Sequence, residues 1–311
     1  MKNKIKQTLI SLISSIKKSK IENSIIIFSE ARGGSTWLME MLNHIPQTNI
    51  NWEPLHTTNG LVPKKLNWGG RPQLYSDSIS KQEISLLKNI ISGNIGNSWT
   101  RTYQTIPSTI KANRTITKFV RANLLAPVIL EKFNFNFKPI VLVRHPIDIC
   151  YSQIKAFGDI NDKPSKFEPH NWKNNERFIT HLDYLNSKET LIEHYVTYWC
   201  INNVTALNHK IVNEKCKFIY YDNLVLNPEK EIRSILSINN IKNIEEIIDS
   251  IEFRKASSTD FNSQLETNPK VQLSKNIDKI SPEMKIKIQS IFDYFNFKLY
   301  RADSPYAKTL Q

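Results

Sequence analysis

Residues 25–43 constrain the fold of this chain more than any other stretch. Residues 25–28 form a continuous apolar run, which is typical of a strand buried on both faces. A loop with the adjacent glycines Gly33 and Gly34 follows, and residues 37–42 then show apolar side chains at helical spacing. The order strand, glycine loop, helix predicts a phosphate site, because glycines let backbone N–H groups approach an anion and a helix N-terminus adds free donors.

Polar side chains in this loop favour anion binding. Arg32 supplies a fixed charge with forked donors, and Ser35 and Thr36 supply hydroxyls. The loop is not a Walker A motif, since no lysine precedes the hydroxyl pair, so a magnesium-bound nucleoside triphosphate is not the first choice of ligand. For the loop alone, an ordinary strand-to-helix turn whose glycines only relieve backbone strain remains the alternative.

Composition sets the broad class of the protein. The 311 residues suffice for one large α/β domain or two small ones. The net charge of +13 indicates either a field that attracts anionic ligands or simple solubility, and no basic run with interleaved aromatics indicates nucleic-acid binding. Cys150, Cys200 and Cys216 are too far apart for a disulfide framework or a metal motif, which predicts core residues, no metal site and a reducing, cytoplasmic compartment.

The N-terminal segment, residues 1–22, alternates apolar residues with lysines. It has no small-residue cleavage site, and a predicted core strand begins at Ile25, so a signal peptide is not expected. No stretch of the chain approaches the roughly 20 apolar residues that a spanning helix needs. Two interpretations stay open: a lid helix packed on the domain, which is the simpler one, or a basic amphipathic helix that contacts a membrane surface peripherally through residues 1–20.

Strands and helices alternate along the rest of the chain. Further strands are predicted at residues 49–53, 115–119, 139–143 and 217–221, with helices at 81–91, 123–133, 147–157, 189–210, 228–236, 241–251 and 282–292. This alternation predicts one α/β domain over residues 23–311, with a P-loop-like, mainly parallel sheet flanked by helices on both faces. Polar insertions are expected at about 57–111 and 158–187, and residues 254–280 are expected to be mostly irregular.

Four charged residues lie at or just past predicted strand ends, where ligands bind in parallel sheets. They are Arg32, Glu53, Lys118 and Arg144. Arg144 with Ser152, which lies in the following predicted helix, indicates a second anion site. The simpler alternatives are an ion pair or helix cap for Arg144 and an ordinary helical serine for Ser152.

At this point the sequence resembles the sulfotransferase family. That family has a 5′-phosphosulfate loop of the form R-x-G-[ST]-[ST], matched here by residues 32–36, and a 3′-phosphate signature L-V-R-x-P, matched by residues 142–146 with Ser152 in the next helix. Residues 220–229 look like its Y-E-x-L-x-x-x-P segment, and residues 257–260 and 273–275 look like its cofactor-covering loop. The pattern is more similar to the carbohydrate and tyrosylprotein branch than to the cytosolic small-molecule branch.

The resemblance implies transfer of a sulfuryl group from 3′-phosphoadenosine 5′-phosphosulfate (PAPS) to an acceptor hydroxyl, with a carbohydrate or glycoconjugate as the expected acceptor. It implies that Glu53 is the general base and that Lys118 stabilises charge on the bridging oxygen, while Arg32 supports the leaving group. The implied cofactor-binding residues are Arg32, Gly33, Gly34, Ser35, Thr36, Trp37, Arg144, Ser152, Tyr221, Ser258 and Lys275.

Some features leave alternatives open. Ala156 stands where some relatives have another basic residue, which would weaken the 3′-phosphate site. His56 and His170 are alternative bases, whereas His145 is expected to cap a helix or to fill the variable position of the R-x-P motif. The competing functions are a nucleotide kinase or NTPase on a P-loop-type sheet and a non-catalytic binding module on the same fold. The sequence does not indicate which acceptor is used.

Overall fold

Five parallel strands form one sheet in the residues that the computed structural model describes, 2–158, 162–259 and 268–308. In chain order they are β1 (Ser24–Phe28), β2 (Thr48–Trp52), β3 (Arg114–Phe119), β4 (Ile140–Val143) and β5 (Lys217–Tyr220). Their spatial order is β2-β3-β1-β4-β5, and every neighbouring pair is parallel. The predicted α/β fold with a parallel sheet is confirmed.

Strand β1 lies at the centre of the sheet because it is apolar on both faces. Ile25 lies beside Ile116 of β3, and Phe28 lies beside both Phe119 and Val141. Successive side chains of a strand point to opposite faces, so Ile25 belongs to one hydrophobic core and Phe28 to the other. All five residues of β1 are buried, as the apolar run predicts.

Helices cover both faces of this sheet. One core is closed mainly by α3, α5, α6, α9 and α15, and the other by α2, α12, α13 and α14. The bounds are α1 Lys2–Ile16, α2 Ser35–Leu42, α3 Lys81–Ile91, α4 Ile106–Lys111, α5 Ala126–Lys132, α6 Pro146–Phe157, α7 Glu176–Thr180, α8 Leu182–Asn186, α9 Leu191–Leu207, α10 Lys210–Lys215, α11 Tyr221–Leu226, α12 Pro228–Ile238, α13 Ile244–Asp249, α14 Pro269–Ser274 and α15 Pro282–Tyr294. None of these helices is both long and apolar enough to span a membrane.

The segments expected to be loops contain more helix than the sequence predicts. The first insertion holds α4 as well as the predicted α3, and the second holds the short helices α7 and α8. Phe178 of α7 and Leu185 of α8 are buried against Ile201 of α9, so tertiary packing stabilises helices too short to be recognised from local sequence. Helix α14 lies within residues 254–280, which were expected to be mostly irregular, and residues 260–267 lie outside the described residues.

Helix α1 packs on the domain through one face. Ile10 is fully buried on this face, and Ser14 is almost fully buried. Arg101, in the first insertion, donates a hydrogen bond of 2.6 Å from Nη1 to the Ser11 hydroxyl. The contacts of this face agree with the interpretation of the N-terminal segment as a helix packed on the domain.

Candidate active site

The carboxyl ends of the strands surround a cleft with a volume of about 290 Å³. Parallel strands end at the same edge of a sheet, so side chains far apart in sequence meet there. Nine residues predicted for the site line the cleft: Arg32, Gly34, Ser35, Thr36, Trp37, Glu53, Lys118, Arg144 and Tyr221. Six further residues line the cleft: Ala31, His56, Val120, Arg121, Ser257 and Thr259. Of these, His56 is a candidate base from the sequence, and Ser257 and Thr259 belong to the motif at residues 257–260.

The loop before α2 requires both of its glycines. A Cβ on Gly33 would lie 2.5 Å from the Ser29 hydroxyl oxygen, and a Cβ on Gly34 would lie 2.5 Å from the Tyr221 ring. Gly34 is also the N-cap of α2 with a φ of 91°, and no side chain caps this helix. The first backbone N–H groups of α2 are therefore available to an anion in the cleft.

Glu53 and Lys118 form an ion pair in the cleft. The Lys118 ammonium donates to Glu53 Oε1 over 2.7 Å and to the Thr36 hydroxyl over 3.2 Å. Lys118 is 1% exposed and Glu53 is 17% exposed. Burial lowers the pKa of Lys118, and the Glu53 carboxylate opposes that shift. The pair places a carboxylate next to a cation in the cleft, beside Thr36 at the start of α2.

Two lining residues have backbone conformations that L-residues rarely adopt. Arg32 has a φ of 69° and Glu53 a φ of 43°. Most other non-glycine residues with positive φ in the described part of the chain are asparagines, which tolerate this region. Each such conformation costs about 1–2 kcal/mol, and such residues cluster at functional sites. At the edge of the sheet, a strained backbone therefore sets the direction of both side chains.

Arg144 is held between an aromatic ring and a carboxylate. Its guanidinium carbon lies 4.2 Å from the centre of the Tyr221 ring, and its Nε lies 3.6 Å from Asp148 Oδ2. Its Nη1 donates to the Arg32 carbonyl over 3.0 Å. The Nε is buried and faces the Asp148 carboxylate, so the terminal guanidinium nitrogens are the ones that could meet a ligand in the cleft.

Four predicted residues lie outside the cleft lining. Gly33 lies in the loop itself, where its N–H donates to the Glu30 carbonyl over 2.9 Å. Ser152 accepts a hydrogen bond of 3.0 Å from Arg32 Nε, so it supports Arg32 from behind and does not join Arg144 directly. Ser258 contacts Glu40 and, over 2.7 Å, the Tyr103 hydroxyl, and lies in a neighbouring cavity. Lys275 donates to Gln272 over 2.8 Å at the end of α14. Of the C-terminal loop motif, Asp260 lies outside the described residues.

The histidines differ in their availability as bases. His56 lines the cleft, but its Nδ1 accepts hydrogen bonds from the backbone N–H groups of Thr58 and Asn59. Because Nδ1 accepts, the neutral ring carries its proton on Nε2 and has no lone pair there to take another. Burial, together with the nearby charge of Arg121, lowers the pKa of His56 and favours this neutral ring. His170 packs on Trp172 outside the cleft lining. His145 caps α6 with Nδ1, which confirms its predicted role.

Glu30 is an important residue that the sequence reasoning missed. It is 4% exposed, accepts from the Ala31 N–H over 2.9 Å, and forms an ion pair with Arg71. Burial lowers the pKa of Arg71, but the Glu30 carboxylate and the Tyr198 side chain together outweigh burial and raise it. An acidic residue directly between a buried strand and a glycine loop was the available signal. Glu30 fixes the loop to the first insertion.

Arg121 is the second missed residue. It lines the cleft just past the end of β3, and within the described residues it makes no ion pair. Burial and the nearby charge of Arg71 both lower its pKa. The rule that selected Lys118, a charged residue at a strand end, would also have found Arg121. The cleft therefore contains a guanidinium whose charge is not neutralised by a carboxylate partner.

These features define a class of protein. A parallel α/β sheet ends in a glycine loop with free helix donors, and three arginines and an acid–ammonium pair line the same cleft. Such a site is suited to an anionic ligand and has a carboxylate available beside it.

The comparison with protein families identifies the class more closely. A family model described as a sulfotransferase domain matches residues 22–301. The chain belongs to this family and is a sulfotransferase.

Three solved structures are similar in fold at low sequence identity. The sulfotransferase domain from the curacin biosynthetic pathway is 15% identical, over 91% of this chain and 99% of its own, with a TM-score of 0.45. Mouse sulfotransferase SULT7A1 complexed with PAP is 17% identical, over 92% and 88%, with a TM-score of 0.43. The sulfotransferase domain from the Synechococcus PCC 7002 olefin synthase is 17% identical, over 91% and 98%, with a TM-score of 0.43. No curated protein matches the chain.

Proposed function

We propose that this sulfotransferase transfers a sulfuryl group from PAPS to a carbohydrate hydroxyl, with Glu53 as the general base. The observation that carries this proposal is the 2.7 Å contact between Glu53 and Lys118 in the cleft that the phosphate loop forms. A carboxylate beside an ammonium can take a proton while the cation stabilises negative charge nearby.

The residues present are suited to a nucleotide phosphorylated at both ends. Gly34 leaves room where a Cβ would collide with Tyr221, and the uncapped N-terminus of α2 offers donors for the 5′ phosphate. Arg144, whose guanidinium lies over the Tyr221 ring in the cleft lining, suits the 3′ phosphate. When bound, PAPS supplies an activated sulfuryl group, whose transfer breaks the sulfur–oxygen bond to the 5′ phosphate.

Each charged residue of the cleft then has a distinct task. Glu53 Oε1 is engaged by Lys118, so Oε2 is the oxygen available to take the proton from the acceptor hydroxyl. Lys118 donates hydrogen bonds to negative charge that develops between the 5′ phosphate and the acceptor. Arg121 supplies further positive charge in the same cleft, and Arg32 is oriented toward the 5′ phosphate by Ser152.

A second cavity, of about 380 Å³, supports a carbohydrate acceptor. It shares His56 with the catalytic cleft, and both insertions line it. The Trp172 ring lies against Gly69, which has a φ of 72° and no space for a Cβ. The half-buried Trp172 and polar neighbours such as Asn67 give this cavity the mixed apolar and polar lining that suits a sugar. Trp68, in contrast, is buried and donates to Glu83, so its role is structural.

The first test separates chemistry from nucleotide binding. The change Glu53→Gln should lower transfer of labelled sulfate from PAPS to a panel of glycosides by at least about 100-fold, because general base catalysis typically contributes 10²–10⁴. Binding of adenosine 3′,5′-bisphosphate, measured by calorimetry, should change little. Glu229→Gln, at an exposed glutamate that pairs with Arg233, is the matched control. Near-normal turnover in Glu53→Gln would refute Glu53 as the base.

The second test examines the nucleotide itself. Calorimetry should give tight binding of adenosine 3′,5′-bisphosphate, much weaker binding of AMP, and a large loss of bisphosphate affinity in Arg144→Ala. Preference for ATP with magnesium would instead favour a kinase or NTPase. Absence of any nucleotide binding would favour a binding module on this fold.

A further inference from the structure

The outer face of α1 carries an exposed apolar row that the domain does not cover. Ile5, Leu9 and Ile16 are exposed by 54%, 41% and 77%, and Leu12, in the same row, is exposed by 56%. Spacings of four, three and four residues place all of them on one stripe of a helix. Ile10 and Ser14, on the opposite face, are buried against the domain. Helix α1 is thus docked through one face and apolar on the other.

A neighbouring helix extends this apolar row. Ile110 of α4 is 54% exposed, and its carbonyl accepts a hydrogen bond from the Lys17 ammonium at the end of α1. Together Ile5, Leu9, Leu12, Ile16 and Ile110 form what we call the N-terminal apolar row. Isolated exposed apolar residues are normal, but a contiguous row of five marks an interaction surface.

The charge around the row indicates the kind of partner. Residues 1–21 contain six lysines, at positions 2, 4, 6, 17, 18 and 20, and no aspartate or glutamate. Lys18 and Lys20 are exposed, as is Lys111 next to Ile110. A second copy of the chain would bring an equal positive charge against this surface, which disfavours self-association. An anionic lipid surface matches both features, with an apolar layer for the exposed row and negative charge for the lysines.

We propose that the N-terminal apolar row docks this sulfotransferase on a negatively charged lipid bilayer. The helix lies in the plane of the interface, because its inner face stays packed on the domain through Ile10 and the contact of Ser11 with Arg101. This proposal rests on surface residues outside the cleft and is independent of the choice of donor, base or acceptor.

Co-sedimentation with lipid vesicles tests the proposal on the full chain. We expect binding to phosphatidylcholine vesicles that contain about one third phosphatidylserine, and at least tenfold weaker binding to phosphatidylcholine alone. The double change Ile5→Gln/Ile16→Gln should weaken binding to the anionic vesicles at least tenfold. Lys18→Ser/Lys20→Ser should weaken it too, most strongly at low salt, because exposed charges are screened at high salt.

A matched control distinguishes the row from general surface hydrophobicity. Ile286 of α15 is 69% exposed and lies outside the row, so Ile286→Gln should bind vesicles as the unmodified chain does. Unchanged binding by Ile5→Gln/Ile16→Gln would overturn the proposal, because lysines alone would then account for it. No binding to anionic vesicles would overturn it as well. So would a concentration-dependent dimer that the same double change dissociates, since a second copy would then cover the row.

A spin label gives a second readout of depth. All three native cysteines are buried and burial raises the pKa of each thiol, so a label would react with a Leu9→Cys variant selectively. On anionic vesicles the label at position 9 should become more accessible to oxygen than to a water-soluble nickel chelate. A label that stays equally accessible to the chelate would show that the helix does not enter the interface.

Discussion

Lys118 shows how a single residue can be buried and charged at once. Its side chain is 1% exposed, and the cost of burying an ammonium is offset by Glu53 and the Thr36 hydroxyl. Removal of either charge would leave the other buried without its partner. The pair is thus specified by contacts between β3, the end of β2 and the start of α2, and not by any local pattern.

The lowered pKa of Lys118 gives opposite pH dependences for activity and stability. In the proposed mechanism Lys118 acts as the ammonium, so kcat should fall as pH rises through a pKa below the ordinary 10.5. Stability should show the opposite trend. Between the lowered pKa of Lys118 in the folded chain and its ordinary pKa in the unfolded chain, the folded chain binds fewer protons. The contribution of Lys118 to the free energy of unfolding therefore rises with pH in that window. Rate–pH profiles and thermal unfolding, both between pH 7 and 10.5, measure the two trends.

Lys118→Arg provides the control, because guanidinium does not lose its proton in this range. The alkaline fall in kcat should disappear in this variant, even if the rate itself is lower. An identical alkaline limb in both proteins would assign the fall to another group.

The sequence predicts the residues of the site only where strand ends reveal them. Glu53, Lys118 and Arg144 follow buried apolar runs, and parallel strands must bring such positions together. Glu30 also follows a buried strand, so its position was a signal, but its role depends on Arg71 and Asn203, which come from distant parts of the chain. Ser258 shows the opposite difficulty: its motif is local, but the side chain lies toward Glu40 and not in the cleft.

At the scale of the element, the strand–loop–helix unit depends on Gly34. Gly34→Ala would force a side chain into the left-handed region and onto the Tyr221 ring. We expect adenosine 3′,5′-bisphosphate affinity to fall at least tenfold, as measured by calorimetry. Gly158→Ala is the matched control, because a Cβ there meets only ordinary contacts at 3.5 Å or more. Equal affinity in the two variants would mean that this loop does not hold the phosphate.

Elements differ in how far their own sequence specifies them. The β1 strand and helix α3 have strong patterns, and α3 also has a capping box between Ser80 and Glu83, so both were predicted within a residue or so. Helices α7 and α8 have five residues each and depend on burial of Phe178 against α9. Short elements of this kind follow from packing, which a linear pattern does not contain.

At the scale of the whole molecule, one buried network ties both insertions to the phosphate loop. Glu30 pairs with Arg71 of the first insertion, and the Arg71 carbonyl accepts from Arg177 of the second over 2.7 Å. Arg177 also donates to Asn202 of α9 over 3.1 Å. The walls of the proposed acceptor cavity are therefore fixed to the loop that is proposed to hold the donor.

Arg71→Met should disturb the whole assembly and not one contact. Loss of one partner of a buried pair typically costs about 3–5 kcal/mol, so the free energy of unfolding should fall by about that amount in urea titration. Both insertions should become more sensitive to limited proteolysis. Arg233→Met removes an exposed ion pair and should leave stability and cleavage nearly unchanged. Equal behaviour of the two variants would show that the network does not couple the insertions.

The central position of β1 also has a consequence for the order in which the protein can be made. Its apolar residues pair on both sides with strands that are synthesised much later. Ile25 pairs with Ile116 of β3, and Phe28 pairs with Val141 of β4. Until those strands are made, the nascent chain carries β1 as an unpaired, exposed apolar segment. Long-range pairing of this kind is slow, and the unpaired segment is prone to aggregation. Chains that stop before residue 114 should accumulate as insoluble material, and a holding chaperone on the ribosome would be most useful over that interval.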